Sequence, residues 1–391
     1  MQTFDIILTN HSDPFSALVL PQIIMYRIIK GAGYQLPTRG DSMSVTIKDI
    51  ARVANCSYAT VSRALNNKPG INAQTRQRIV DVAGQLGYQP NAIARGLVMQ
   101  RTHTIGLVIP DIVNPFFPEI ARGVEDVASE QGYTVFLCNT NWDQTKENVY
   151  LKALQEKRVD GIIIKPSSDL SSLNGTNHAY LNEINLPIVI FSGQSSTGDH
   201  SYIEIDNHRG GFLATKHLIE AGYRRIAFIG GRESSHSNSE RLKGYRAALA
   251  SYEIPIDESL ITNHDFYSES GYALMESLLK LPHPPDAVFT GNDIIALGVL
   301  ECLQKKDIRV PEDFGVVGFD NIIFSGYPQI QLTTISQPKY LMGKLAAEVL
   351  LNEINGLSTK GVRKTILDPE LIVRRTTRKL NPLYSVRDKS R

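Results

Sequence analysis

The 391-residue sequence predicts a small all-α helix-turn-helix headpiece followed by an α/β body of two doubly wound parallel-sheet lobes. Residues 46–63 have the pattern of two short capped helices around a tight turn. From residue 102 onward, short apolar runs alternate with helical stretches, as in parallel sheets covered on both faces. Two similar helix-to-strand junctions, EQGY at 130–133 and EAGY at 220–223, indicate two like lobes.

Residues 1–42 match nothing downstream, and we expect them to be a misassigned extension of a chain that starts at Met43. Their apolar part, residues 17–29, is too short and too interrupted to span a membrane. No basic stretch precedes it, so an export signal is not predicted either. The helix-turn-helix domain is predicted over residues 43–89, a hinge helix and linker over 90–101, the body over 102–380 and a polar tail over 381–391.

The first helix is predicted over Ile47–Ala54. Thr46 is placed to cap it through its hydroxyl, and Asp49 three residues later completes a capping box. Ser57 caps a second helix from Tyr58 to about Leu65. The residues predicted to face the core of this pair are Ile50, Val53, Ala54, Val61, Ala64 and Leu65. Those predicted to lie at the start or on the outer face of the second helix, where they could enter a major groove, are Tyr58, Ala59, Ser62 and Arg63.

Capped amphipathic helix pairs are common, so the spacing alone leaves a purely structural role open. A third helix, residues 73–86 between the cap Asn72 and the terminator Gly87, would close a three-helix core. Charge favours DNA binding. Residues 44–101 carry eight Lys and Arg against two Asp, whereas the whole chain is only +1. A basic headpiece on an acidic body is typical of a polyanion-binding module joined to another domain.

The hinge segment, residues 92–97, is too short to form a stable helix by itself. It could fold only against DNA or a symmetry mate, which would leave Leu97 free to insert between base steps of the minor groove. The alternative is a solvated linker whose Ile93 and Leu97 dock on a neighbour.

The sequence from TIKDIARVANCSYATVSRALNN to NAIARGL closely resembles the headpiece and hinge of the lac repressor and galactose repressor family of bacterial transcription regulators. The resemblance continues through IGLVIPDIVNPFF, DGIIIKPS, HLIEAGYRRIAFIGG, NDIIALGVLE and LTTISQP, and covers about residues 45–375. It implies base reading by Tyr58, Ala59 and Arg63, and minor-groove opening by Leu97. The residues that it implies as contacts to the DNA backbone are Thr46, Ser57, Ser62, Asn66 and Asn91.

The body strands are predicted at 105–109, 135–138, 161–165, 188–191, 226–229, 287–290, 316–319 and 333–335. Ligands bind outside the carboxyl ends of such strands. Polar and aromatic side chains suited to a polyhydroxylated ligand follow several of them. They are Phe116, Phe117, Ser192, Arg241, Phe266, Asn292 and Asp320. Each alone could be core or a turn former, but the resemblance implies effector contact for Arg241, Phe266, Asn292 and Asp320, and a cleft-lining role for the two adjacent phenylalanines.

Ser192 departs from the family pattern, because many sugar-responsive relatives carry Asp there. Catalytic motifs, metal-ligand spacing and cofactor motifs are not found in the sequence, so neither an enzyme nor a metal or cofactor site is predicted. Cys56, Cys138 and Cys302 have no paired framework, which favours free thiols in a reducing cytoplasm.

The predicted function is a cytoplasmic homodimeric repressor that binds pseudo-palindromic operator DNA under control of a small effector, expected to be a carbohydrate. The apolar stripe Leu341, Leu345, Val349 and Leu350 is either a dimer face or core. Two alternatives stay open: a regulator that answers to a phosphorylated partner protein, and an exported sugar-binding protein. No membrane association is predicted.

Overall fold

The computed structural model describes residues 45–88, 101–167, 181–193, 200–357 and 361–380. The predicted extension, the hinge residues Asn91 and Leu97, and the tail lie outside these residues. The chain divides into two compact units with the boundary between Asn91 and Ala92.

The described part of the headpiece contains α1 (Ile47–Val53), α2 (Tyr58–Leu65) and α3 (Ala73–Gln85). The Oδ2 atom of Asp49 accepts hydrogen bonds from the backbone N–H and the hydroxyl of Thr46, at 3.0 and 2.7 Å. Asn55 lies in the left-handed region (φ 47°), which asparagine tolerates, and the chain turns there. The predicted helix-turn-helix is therefore confirmed.

The headpiece core is formed by small and aliphatic side chains from all three helices: Ile50, Ala54, Val61, Ala64, Ile79 and Ala83. The prediction was wrong for Val53, which is 41% exposed. The buried side of α1 runs through Ile50 and Ala54, four residues apart, and Val53 lies off this line. After α3, Gly87 adopts φ 64° and ends the helix as predicted.

The body contains two six-stranded sheets, each forming the centre of one lobe. The first has the order β11-β5-β4-β3-β1-β2 and the second β12-β10-β9-β8-β6-β7. All pairings are parallel except β10 with β12. The strands are β1 (Thr104–Ile109), β2 (Thr134–Asn139), β3 (Gly161–Ile164), β4 (Ile188–Phe191), β5 (Ser201–Ile205), β6 (Ile226–Gly230), β7 (Ile261–Asn263), β8 (Ala287–Thr290), β9 (Gly315–Asp320), β10 (Thr333–Ser336), β11 (Lys364–Leu367) and β12 (Glu370–Ile372).

Helices pack against both sheets, as the alternation of apolar runs and helical stretches predicts. They are α4 (Phe116–Glu130), α5 (Gln144–Glu156), α6 (Asn207–Glu220), α7 (His236–Ser251), α8 (Ser268–Leu278), α9 (Asp293–Lys305) and α10 (Lys339–Ile354), with short 3-10 helices at Glu258–Leu260 and Ile323–Gly326. Gly132 and Gly222, in the two repeated junctions, have φ 73° and 96° and turn the chain from helix to strand in equivalent ways. The two-lobe prediction is confirmed.

Within the described residues the chain passes between the lobes three times, after β5, after β10 and after β11. As a result, α10 follows a strand of the second sheet but packs on α4 and on strands β3, β4 and β5 of the first. Neither lobe is a continuous segment of sequence.

Reciprocal glycines allow the helices of the second lobe to approach very closely. A Cβ built on Gly298 of α9 would lie 1.8 Å from the carbonyl oxygen of Ser268 in α8, and one built on Gly271 of α8 would lie 2.3 Å from the carbonyl oxygen of Ile295. Backbone atoms cannot move aside as flexible side chains do. Only glycine therefore fits at these two positions in this arrangement.

Gly298→Ala is expected to destabilise the body by about 3 kcal/mol or more, because the α8 and α9 backbones must separate to admit the methyl group. Gly84→Ala is the matched control, since Gly84 lies in α3 with nothing within 4 Å of its Cβ position. That substitution should be neutral or slightly stabilising, by up to about 1 kcal/mol. Thermal melts followed by circular dichroism measure both, and an unchanged melt for Gly298→Ala would contradict the close approach.

Candidate functional site

The predicted DNA-reading residues lie on the accessible side of the headpiece helix α2. Tyr58 is 57% exposed, Ala59 and Arg63 are exposed, and Ser62 is half-buried. Ser57 caps the helix by accepting the N–H of Thr60 at 3.1 Å. These positions recur every three to four residues, so they form one face that a major groove can admit. Thr46 and Asn66 are also exposed.

Arg76, one of the eight basic headpiece residues, serves a structural role. Its guanidinium donates to the carbonyl oxygens of Ala64 and Lys68, at 3.0 and 2.8 Å, and to Asn67 Oδ1 at 2.9 Å. These acceptors lie at the carboxyl end of α2, where backbone carbonyls have no partner within the helix. Arg76 thus holds α2 against α3.

In the body, all seven predicted effector residues line one pocket between the lobes, with a cavity volume of about 30 Å³. In this closed arrangement the space holds about one water molecule, so the lobes must move apart to admit a larger ligand. The remaining lining residues are Asn114, Trp142, Lys165, Ser235 and Ser237. The pocket lies at the carboxyl ends of the parallel strands, as expected for this fold class.

Arg241, from α7, forms the floor of this pocket and is only 5% exposed. Its Nε donates to Asn207 Oδ1 at 2.9 Å and its Nη1 to the carbonyl oxygen of Gly291 at 2.5 Å. The guanidinium carbon lies 3.6 Å from the ring centroid of Phe319, a stacking contact. Burial lowers the pKa of Arg241 to about 10, so the side chain stays charged at neutral pH.

Asp320 ends β9 beside Arg241, with its Oδ1 3.9 Å from Nη2 of that arginine. The same Oδ1 accepts a hydrogen bond from Gln337 Nε2 at 2.6 Å. Burial raises the pKa of Asp320 to about 7, and the nearby Arg241 guanidinium only partly offsets this. The carboxyl group is therefore poised to ionise near neutral pH and to accept hydrogen bonds from a ligand.

An aromatic wall faces this charged floor. Trp142 of the first lobe stacks on Phe266 of the second, with ring centroids 4.9 Å apart and an interplanar angle of 27°. Phe117 meets the same indole edge-on at 6.4 Å, and Phe116 packs against Phe117 at 5.1 Å. Flat apolar surfaces opposite charged and amide groups suit a ligand with both hydroxyl groups and C–H faces.

Three pocket residues have backbone conformations that residues other than glycine rarely adopt. Trp142, Ser192 and Asp320 have φ of 59°, 53° and 110°. Such strain tends to persist at functional sites, where the surrounding structure holds it in place. Ser192 also contacts α7, since its carbonyl oxygen accepts from Ser237 Oγ at 3.3 Å.

Asn292 has a structural role as well as a place in the pocket. Its Oδ1 caps α9 by accepting the N–H of Ile295 at 2.8 Å, and its Nδ2 donates to the carbonyl oxygen of Phe266 at 3.4 Å. The turn-forming role that the sequence left open is therefore present, and the ligand-binding role stays a prediction.

Two pocket residues, Trp142 and Lys165, are not among the predicted effector residues, although the sequence contains a signal for both. Each comes at or just beyond the carboxyl end of a strand, Trp142 after β2 and Lys165 directly after β3. Trp142 is the single tryptophan of the chain.

Within the described residues, no group of three or more His, Cys, Asp and Glu side chains is arranged to hold a metal ion. In the same part of the chain, no helix combines the length and the apolar character that a membrane span needs.

Comparison with known proteins matches both units. Residues 46–91 match the model of bacterial regulatory proteins, lacI family, and residues 215–377 that of a periplasmic binding protein-like domain. Catabolite control protein A from Priestia megaterium is 37% identical over 314 residues, which are 80% of this chain and 93% of that protein. The chain belongs to the lacI family of bacterial regulatory proteins. As a family member it is a DNA-binding transcription regulator, and the predicted helix-turn-helix headpiece and two-lobed α/β body are confirmed.

Two solved structures are similar over most of the chain. The lac repressor dimer bound to operator and the anti-inducer ONPF has a TM-score of 0.77 at 27% identity, and covers 86% of this chain and all of its own. The complex of the transcriptional regulator CelR with cellobiose has a TM-score of 0.65 at 32% identity, and covers 85% of this chain and 99% of its own.

Proposed function

We propose that this lacI-family regulator is a repressor whose operator affinity is set by a small carbohydrate bound in the pocket between the lobes. One observation carries the proposal: the charged floor of Arg241 and Asp320 faces the stacked rings of Trp142 and Phe266 within a single enclosed space. Charged and amide groups pair with vicinal hydroxyls, and the rings pack against sugar C–H faces. The CelR complex with cellobiose supports a sugar of this general class.

We propose a ligand-binding role for the pocket rather than catalysis. The acidic and basic groups of its floor are held by neighbours, Asp320 by Gln337 and Arg241 by Asn207 and Gly291. The enclosed position of this floor also disfavours a phosphorylated partner protein as the direct ligand, since a protein surface cannot reach it. A DNA target makes an exported sugar-binding protein the less fitting alternative, and we propose that the regulator acts in the cytoplasm.

A homodimer on a pseudo-palindromic operator completes the proposal. The similar lac repressor structure is a dimer on operator, and two linked headpieces read two half-sites. The stripe on α10 cannot supply the whole dimer face, because Val349 and Leu350 are buried within the body. Exposed apolar side chains elsewhere on the body are better candidates. They are Phe136, Leu137, Val149, Ile323 and Tyr327.

Operator release by a panel of sugars tests the effector proposal. Genome-wide mapping of binding sites supplies the operator, and fluorescence anisotropy then measures its affinity with and without each monosaccharide and disaccharide of the panel. At least one sugar is expected to change operator affinity by about five- to 150-fold, the usual range of allosteric coupling. If no sugar alters operator affinity while the protein still binds its operator, the carbohydrate proposal is wrong.

A further inference from the structure

We propose that Lys339 is a positioning residue that latches the floor of the effector pocket to the first lobe and so holds the two lobes closed. The proposal rests on the proposed effector role of the pocket. Its test needs no effector, so its outcome is independent of which ligand the pocket binds.

Lys339 is the first residue of α10 and is only 4% exposed. Its Nζ donates to the carbonyl oxygens of Asp320 and Asn321, at 2.9 and 2.8 Å. Both acceptors belong to residues with positive φ, 110° and 52°. The ammonium group therefore stabilises the strained turn that presents the Asp320 carboxylate to the pocket.

The helix that carries Lys339 is fixed to the first lobe, although the turn that it holds belongs to the second. A Cβ on Gly123 of α4 would lie 2.2 Å from the carbonyl oxygen of Tyr340, and one on Gly343 would lie 2.1 Å from that of Ile120. Two helices in such close backbone contact cannot slide past each other. We infer that α4 and α10 move together, and that Lys339 moves with them.

A second contact from the ammonium group reaches α4 directly. Lys339 Nζ lies 3.5 Å from Oε1 of Glu119, whose side chain is 47% exposed. The ammonium thus has partners on both lobes: one carboxylate on the first and two carbonyl oxygens on the second. A lobe rotation that moves α4 away from the turn at Asp320 and Asn321 breaks these contacts, and a buried ammonium that loses its partners is costly.

Quenching of Trp142 fluorescence by acrylamide measures whether the lobes stay closed. Trp142 is the only tryptophan, is 9% exposed and stacks across the lobes on Phe266. Lys339→Met keeps the length of the side chain but removes the charge and all three donors. In the full chain without effector, we expect it to raise the quenching constant at least about two-fold, because opening becomes more frequent.

Matched variants separate the latch from a general loss of stability. Lys344→Met removes a half-exposed lysine from the same helix, where its Nζ lies 3.9 Å from Glu348, and should leave quenching unchanged. Lys339→Arg retains donors for the two carbonyls and should restore most of the protection. Glu119→Gln removes only the exposed ion pair and should have a small effect.

Unchanged quenching in Lys339→Met overturns the proposal, because Lys339 would then support only the local turn. Equal increases in Lys339→Met and Lys344→Met also overturn it, since they would reflect loosening of α10. If Lys339→Met does not fold, Lys339→Gln, which lacks the charge and the reach to hold both carbonyls, carries the same test with the same two outcomes.

Discussion

Asp320→Ala is expected to abolish the response of operator binding to the effector while leaving effector-free operator affinity largely intact, provided that the effector is an inducer. The substitution removes an acceptor on the pocket floor and leaves Arg241 buried without its carboxylate neighbour, 3.9 Å away. Hydrogen bonds to a charged group contribute about 1.5–3 kcal/mol each, so effector affinity should fall ten- to more than hundred-fold. Operator anisotropy with and without the sugar identified by the panel measures the loss.

Asp313→Ala is the matched control for Asp320→Ala. Asp313 is a partly exposed carboxylate of the same lobe that pairs with Arg309 at 2.7 Å. Its loss should leave the effector response unchanged. If Asp320→Ala responds to the effector with unaltered affinity, the pocket is wrongly assigned and the body answers to something else, a protein partner being the next candidate.

The pH dependence of the same site has a definite sign. Because burial raises the pKa of Asp320 to about 7, lowering the pH through neutrality protonates a group that accepts hydroxyl hydrogen bonds more strongly when it is ionised. Effector affinity should therefore fall as the pH drops below 7, and Asp320→Asn should flatten this profile. Arg241 stays charged over this range, and Asp293, whose pKa burial raises to about 6, is held by Ser325 and Thr334 behind the floor.

The raised pKa of Asp320 also makes the free energy of unfolding depend on pH, in the opposite direction from effector affinity. The folded-state pKa lies above the unfolded value of about 4, so the native protein binds this proton more tightly. The stabilisation from protonated Asp320 is fully present at low pH and is lost as the pH rises from about 4 through 7.

Arg63→Ala is expected to relax sequence preference at one base pair of each operator half-site by about 1–3 kcal/mol, if the guanidinium binds guanine in a bidentate manner. Arg63 is exposed on α2. Lys48→Ala is the control from the exposed surface of α1, and should weaken operator and random DNA alike if it contacts phosphate. Competition binding over an operator library measures both. Equal losses on operator and random DNA for Arg63→Ala would refute base reading.

The same operator library tests the dimer. If two headpieces bind together, scrambling one half-site should sharply reduce wild-type affinity, and Arg63→Ala should change preference symmetrically in both halves. A single half-site that binds as tightly as the full operator would contradict the proposed homodimer.

Much of the fold follows from local pattern, and the missed strands have physical reasons. Ser201 and Glu204 interrupt the apolar pattern of β5, which is nonetheless fully buried because it lies inside the first sheet. The strands β7, β11 and β12 are short, partly exposed and border their sheets, so their residues need little apolar character. Their place depends on pairing with distant strands, which no local window contains.

In the pocket, too, the residues with a local sequence signal could be predicted, whereas the contacts between distant parts of the chain could not. Arg241, Asn292 and Asp320 could be named because they follow strands and match the family pattern. The stack of Trp142 on Phe266 joins residues of two lobes, and the donors of Lys339 reach a turn across the β10-to-α10 passage. Spacing along the chain carries no signal for such contacts, since they arise only when the lobes meet.

The three passages of the chain between the lobes determine the order in which the parts of the protein are completed during synthesis. The headpiece has its own core and leaves the ribosome first, whereas each lobe awaits its last strand, Lys364–Leu367 in one and Glu370–Ile372 in the other. At about 5–20 residues per second, the ribosome needs tens of seconds to add the intervening body. Every nascent chain thus carries a headpiece with its own core before the pocket between its lobes is complete. In a chain that is truncated before residue 364, both lobes lack their last strand, whereas the headpiece is complete.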